Sequence, residues 1–265
     1  MKQKFLYSAI AVTTLTLASC GSEPVKPLVL YYSQTGATEA VAQEIQTALG
    51  ADVELIELVD PYSGTYAETI ERVNIEKQNG VLPELKPLKS DLSKYDVIFL
   101  GYPIWFGSYA PPISSLVKEY DFAGKKIVTF STFGSGGLEQ GVKDLKEALP
   151  AAVIAENHFG IRNARIQSAS KEVNRFLVEN AFVEGTVEPL PAYSELQPVT
   201  DEEVKLFDAA CGDYQFPLGT PVLVGKRETA DGVDYVYSVD SNGATSTIYV
   251  TVANGGTPEF TRVVR

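Results

Sequence analysis

The chain has 265 residues, 45% of them hydrophobic and 21% charged, with a formal net charge of -12. That length suits one large domain or a medium one plus a small one, and the apolar content supports a packed core, which excludes wholesale disorder. A surface of this sign repels phosphodiester backbones and has no basic stripe to release counterions, so no nucleic acid is expected among the partners. An acidic surface suits basic partner proteins, and it also suits simple solubility.

In chain order, the first residues stand apart. Lys2 and Lys4 precede an uncharged, mainly apolar run from Phe5 to Ala18, closed by Leu17-Ala18-Ser19-Cys20-Gly21. This is the pattern of a secretory signal peptide, and the run is shorter than the roughly 20 residues a membrane span needs. Leu-Ala-Ser-Cys-Gly resembles a bacterial lipobox, which implies cleavage before Cys20, lipid on Cys20, and an exported protein anchored in the bacterial cell envelope. An ordinary signal peptide with an incidental cysteine is the alternative. On the first reading residues 1–19 are signal peptide and residues 20–27 are the lipidated cysteine and a short tether with two prolines. Cys211 is then the only other cysteine, so no intramolecular disulfide is expected. His158 is the sole histidine, so a zinc or blue-copper site is not expected.

From Leu28 onward, strand-like and helix-like segments alternate. Strands are expected over Leu28–Tyr32, Val53–Leu58, Val97–Leu100, Ile127–Phe130 and, more weakly, Val153–Ala155. Helices are expected over Glu39–Leu49, Tyr66–Gln78, Pro111–Glu119, Leu138–Leu149 and Ala169–Ala181. Such alternation with uncharged strands predicts an α/β fold: a five-stranded, parallel, doubly wound sheet in the order 2-1-3-4-5. In these sheets a ligand sits beyond the carboxyl ends of the strands, where the winding reverses, so the loops that begin at Ser33, Tyr102 and Ser131 are the ones to examine.

Beyond about Gly185 the pattern changes. Residues 186–265 predict a small α+β domain: a helix from Thr200 to about Cys211 with a capping-box start, then strands over Thr220–Glu228, Val233–Val239, Ser246–Val252 and Phe260–Val264. This part weakly resembles the cystatin-like fold in its helix-first order and first hairpin. It lacks a Gln-x-Val-x-Gly loop, and no protease inhibition is inferred.

The first loop, Ser33-Gln34-Thr35-Gly36-Ala37-Thr38, joins a strand to a helix. Free amides and the helix dipole at such a start favour an anion, three hydroxyls add donors, and Gly36 admits close approach. No lysine follows the glycine, so the loop is not one that holds a nucleotide triphosphate. The second loop carries Tyr102-Pro103-Ile104-Trp105-Phe106-Gly107, with the only tryptophan of the chain, and offers the flat apolar surface that an isoalloxazine ring requires. The third, Ser131-Thr132-Phe133-Gly134-Ser135-Gly136, has small residues whose backbone could meet the pyrimidine edge of such a ring.

Together these segments resemble the flavodoxin superfamily, specifically bacterial flavodoxin-like proteins with Ser-x-Thr-Gly-x-Thr and Gly-Tyr-Pro-Ile-Trp motifs. The match lies at Ser33, Thr35, Gly36 and Thr38 and at Gly101 to Trp105. The resemblance implies a domain over residues 28–185 that binds FMN non-covalently, with phosphate on 33–38, the ring flanked by 102–107 and its pyrimidine edge near 131–136. It further implies an electron carrier with a redox partner protein whose identity the sequence does not give. An FMN-dependent quinone or nitro-compound reductase is a second reading, and an envelope binding module built on a flavodoxin scaffold is a third.

Overall fold

The computed structural model describes residues 26–265 except Asp213 and Gln215; the expected signal peptide (residues 1–19) and the expected lipid site at Cys20 lie outside the described residues. Strand β1 (Leu28–Tyr31) is buried throughout and leads into helix α1 (Ala37–Leu49), whose Val41, Ala42 and Ile45 face the sheet. Burial of a valine or isoleucine contributes roughly 1.5–3 kcal/mol each, so this stripe seats the helix. Gly50 ends α1 in the left-handed region. Strand β2 (Asp52–Leu55) follows, then helix α2 (Tyr66–Asn79), started by a capping box between Thr65 and Glu68.

Strand β3 (Val97–Trp105) is nine residues long, and β4 (Ser108–Tyr109) folds back on its end. Helix α3 (Pro111–Glu119) starts with proline in its first turn, where no amide is needed. Strand β5 (Lys126–Phe133), helix α4 (Leu138–Ala148), the short strands β6 (Val153–Ile154) and β7 (Phe159–Arg162), and helix α5 (Ala169–Glu179) complete the first domain.

The parallel strands run in the order β2-β1-β3-β5-β6, with β7 also on β5. Counted over the parallel strands this is the expected 2-1-3-4-5. Two apolar cores lie on the two faces, one under α1 and α5 around Ile45 and Phe99, the other around Leu100, Tyr102 and Leu145. Two expected strands run longer than the sequence pattern shows. β3 continues through Gly101, where a side chain would collide with the Phe130 ring, so the glycine serves packing within a strand and does not end it. β5 continues through Ser131 and Thr132, whose hydroxyl side chains are buried. The expected fifth strand is the short β6, which pairs with Lys126 and Ile127, and an additional strand absent from the sequence pattern, β7, pairs from Phe130 onward, so the fifth position beside β5 is split between the two.

In the second domain, β8 (Gln197–Pro198) precedes helix α6 (Asp201–Cys211), which the Thr200 and Glu203 capping box starts as expected. Strands β9 (Thr220–Thr229), β10 (Gly232–Ser241), β11 (Ala244–Ala253) and β12 (Pro258–Val264) form an antiparallel sheet in the order β12-β11-β10-β9-β8. Phe207 of α6 packs against Tyr237, with ring centroids 5.1 Å apart, over a core that also holds Val239, Ile248 and Phe260. Cys211 is half-buried at the margin of that core.

Candidate functional site

The carboxyl ends of β1, β3 and β5 bring three segments together. At the first, Gly36 adopts a left-handed conformation at the N-cap of α1, with open space where a side chain would be. The Ser33 Oγ accepts from the Gly36 amide at 3.2 Å and from the Glu39 amide at 3.3 Å. An oxygen thus already sits where first-turn amides converge, the geometry an anion's oxygen uses. Thr35 is exposed beside it. Two residues of this loop do something else. Gln34 donates to the Tyr62 carbonyl at 2.7 Å and accepts from the Tyr32 hydroxyl at 2.6 Å, so its side chain ties loops together. Thr38 is buried, and its hydroxyl meets that of Thr132 at 2.8 Å, fastening α1 to the end of β5.

The second segment is a hairpin. Phe106 and Gly107 both have positive φ (52° and 83°), the backbone that a two-residue turn between twisted strands needs. Trp105 meets Tyr62 edge-on at 5.2 Å between centroids and Tyr32 at 6.0 Å. Phe106 is 52% exposed, with the Lys77 ammonium 4.2 Å from its ring centroid. Behind this wall the Arg72 guanidinium lies 4.3 Å over Tyr62, pairs with Glu76 at 2.9 Å and donates to the carbonyls of Asp60 and Pro61. Tyr62 in turn donates to Glu76 at 2.6 Å; burial, then that bond, raises its hydroxyl well above the usual tyrosine range. Tyr32, Tyr62 and Arg72 were not singled out in the sequence, where a strand-end tyrosine and a helix arginine carry no spacing signal.

The structure places several residues of the expected ring loops inside the sheet. Tyr102 and Pro103 lie within β3 and are buried, Tyr102 fully so in the core, because the strand runs past them. Ile104 turns toward α4, where it limits the space at Gly137 and Gly141. Ser131, Thr132 and Phe133 are buried residues of β5 and not loop. Of the described residues, Trp105, Phe106 and Gly107 remain at the surface of the second segment, and Gly134, Ser135 and Gly136 form the third.

That third segment is held by the second domain. The Val263 amide donates to the Ser135 carbonyl at 2.8 Å, and the Tyr214 hydroxyl donates to Ser135 Oγ at 2.9 Å. Gly136 pairs with Val263 so closely that a side chain would overlap the Val263 carbonyl. Arg162, buried at the end of β7, joins the two domains by donating to the Gly134 carbonyl at 2.6 Å and to the Phe260 carbonyl at 3.1 Å.

A doubly wound sheet with an anion cradle after its first strand and an aromatic hairpin after its third defines a class of mononucleotide-binding α/β proteins. Within that class the sequence matches the Flavodoxin family over residues 26–178, and the chain belongs to that family. A candidate flavoprotein from Bacteroides eggerthii is similar in structure, with 26% identity and a TM-score of 0.51 over 60% of this chain and 99% of that one. One from Bacteroides uniformis has 24% identity and a TM-score of 0.51 over 57% and 99%. A flavoprotein from Lactobacillus acidophilus, solved in complex with FMN, shares 21% identity at a TM-score of 0.46 over 56% and 99%. No curated protein matches.

Proposed function

We propose that this protein is an FMN-binding electron carrier tethered to the cell envelope through Cys20. The observation that carries the reading is the cradle at Ser33, in which a hydroxyl oxygen accepts two amides at the start of α1 in a chain of the Flavodoxin family. FMN fits this site by its chemistry: a phosphate can take the place of the Ser33 oxygen and add the Thr35 hydroxyl, and Trp105 and Phe106 offer aromatic surface beside it. When bound, FMN supplies one- and two-electron transfer, and the protein's part is to hold and shield it. Tyr32 and Tyr62 brace the Trp105 wall edge-on, which fixes the aromatic surface that a bound ring would meet. Behind this wall Glu76 and Tyr62 are tied to each other and to Arg72, so their side chains brace the site, which supports a carrier. The net charge of -12 suits a basic redox partner protein.

Titration of the purified protein with FMN and with riboflavin, followed by flavin fluorescence and anoxic reductive titration, tests the reading. Tight FMN uptake with much weaker riboflavin uptake is expected. Equal affinities would remove the phosphate cradle from the argument, and no uptake of either would leave the fold as a scaffold only.

A further inference from the structure

A cleft of about 850 Å³ separates α5 and β7 of the first domain from the outer face of the antiparallel sheet, with residues 187–193 along one side. No residue of 33–38 or 104–107 lines it. Its volume falls in the range of small-molecule sites, which favour domain interfaces. Five of the seven arginines of the chain line it, namely Arg162, Arg165, Arg175, Arg227 and Arg262. With Lys171 they outnumber the five acidic side chains of the lining, in a protein whose overall charge is -12.

On the sheet face flat side chains gather around the tilted Tyr193–Tyr249 pair. The Arg227 guanidinium lies 4.4 Å over Tyr193, the Tyr193 ring is 6.2 Å from Tyr249, and the Arg262 guanidinium lies 4.6 Å over Tyr249. Arg227 pairs through Nε with Asp234 at 2.9 Å, and neither of its Nη groups donates to a described residue. Ion pairs cross the cleft between domains, Arg165 to Glu259 at 3.1 Å and Lys171 to Asp231 at 2.5 Å. A seam made only for such pairs would close over them. Here the pairs line an open space together with planar cations and rings.

We propose that this interdomain cleft binds a small carboxylate bearing a flat ring, with the carboxylate on the Nη fork of Arg227 and the ring against the tilted Tyr193–Tyr249 pair. A guanidinium fork matches a carboxylate in shape and charge, and guanidinium and phenol planes both accept a stacked ring. The site is separate from the FMN cradle and does not rest on that assignment.

Isothermal titration of the full-length chain, purified with detergent, would use 2-naphthoate as the probe. Saturable uptake is expected, about tenfold or more weaker for the neutral naphthalene-2-carboxamide and for acetate, which lacks the ring. Arg227→Met should weaken 2-naphthoate by at least about tenfold. Tyr193→Ala should also weaken it, and Tyr193→Phe should restore it. If Arg227→Met lowers the thermal midpoint, Arg227→Lys, which keeps the charge and loses the fork, reports in its place. FMN-loaded and FMN-free protein should bind 2-naphthoate alike. No saturable uptake, equal affinity for the carboxamide, indifference to the Arg227 variants, or displacement by FMN would each overturn the proposal.

Discussion

Gly136→Ala tests whether the second domain is built into the carboxyl end of the sheet. The backbone of Gly136 is not in the left-handed region, so alanine is allowed there by its own conformation. The added Cβ would overlap the Val263 carbonyl and lie 3.3 Å from Val263 Cγ1, and β12 must move to admit it. That movement breaks the 2.8 Å bond from the Val263 amide to Ser135, worth about 0.5–1.5 kcal/mol, and adds an overpacking cost of about 1–3 kcal/mol. A loss of about 2–3 kcal/mol is therefore expected, or a fall of roughly 5–10 °C in thermal midpoint for a chain of this size. Gly134→Ala is the control: its Cβ meets nothing within 4 Å and its φ is not positive, so it should stay within about 0.5 kcal/mol of the native protein. Differential scanning calorimetry of both variants decides. Equal midpoints for the two would refute the close approach of β12 to the loop.

Other outcomes follow from the same geometry. Thr35→Ala, at an exposed site, should weaken FMN by about ten- to hundredfold, leave riboflavin unchanged and cost no stability, whereas Thr38→Val should cost about 1–3 kcal/mol of stability because it strands the buried Thr132 hydroxyl; paired ligand titrations and urea unfolding separate the two. Trp105→Ala should weaken FMN and riboflavin alike, since it removes aromatic wall and not phosphate contacts, and a selective loss of FMN would contradict that placement. Burial holds the His158 imidazole below its ordinary 6.5, so the stability it contributes is full above that value and lost as pH falls through the lowered folded value. His158→Gln should flatten the stability profile in that window, and urea midpoints on either side of it measure the effect. Cys20→Ala should leave the precursor uncleaved and without lipid; native protein that takes up no labelled fatty acid would dismiss the anchor.

The layout of the first domain was legible because its elements carry strong local signals. The Val41 and Ile45 stripe and the prolines that open α3 each state their element in a few residues, as the Thr200 capping box does in the second domain. The strand ends were not legible. Gly101 and Ser131-Thr132 look like punctuation, yet Gly101 is small because Phe130 lies over it and the two hydroxyl residues are packed inside. This moved Tyr102, Pro103 and Phe133 from expected loops into the sheet. At the site, Ser33, Thr35 and Gly36 could be read from the strand-turn-helix pattern, since local backbone geometry makes that cradle. The aromatic brace and the hold of β12 on Ser135 could not, because they depend on contacts between residues 28 to 128 positions apart.

The split fifth strand bears on self-association. An uninterrupted edge strand beside β5 would offer a row of unpaired amides and carbonyls to a second chain, a template for aggregation. Here that edge is cut into the two residues of β6 and the four of β7, and the Phe260 carbonyl takes a bond from Arg162 where β7 ends. A proteolytic product that ends near Gly185 would present β7 with Arg162 deprived of its Phe260 acceptor. Such a fragment should precipitate at concentrations where the intact protein stays dispersed.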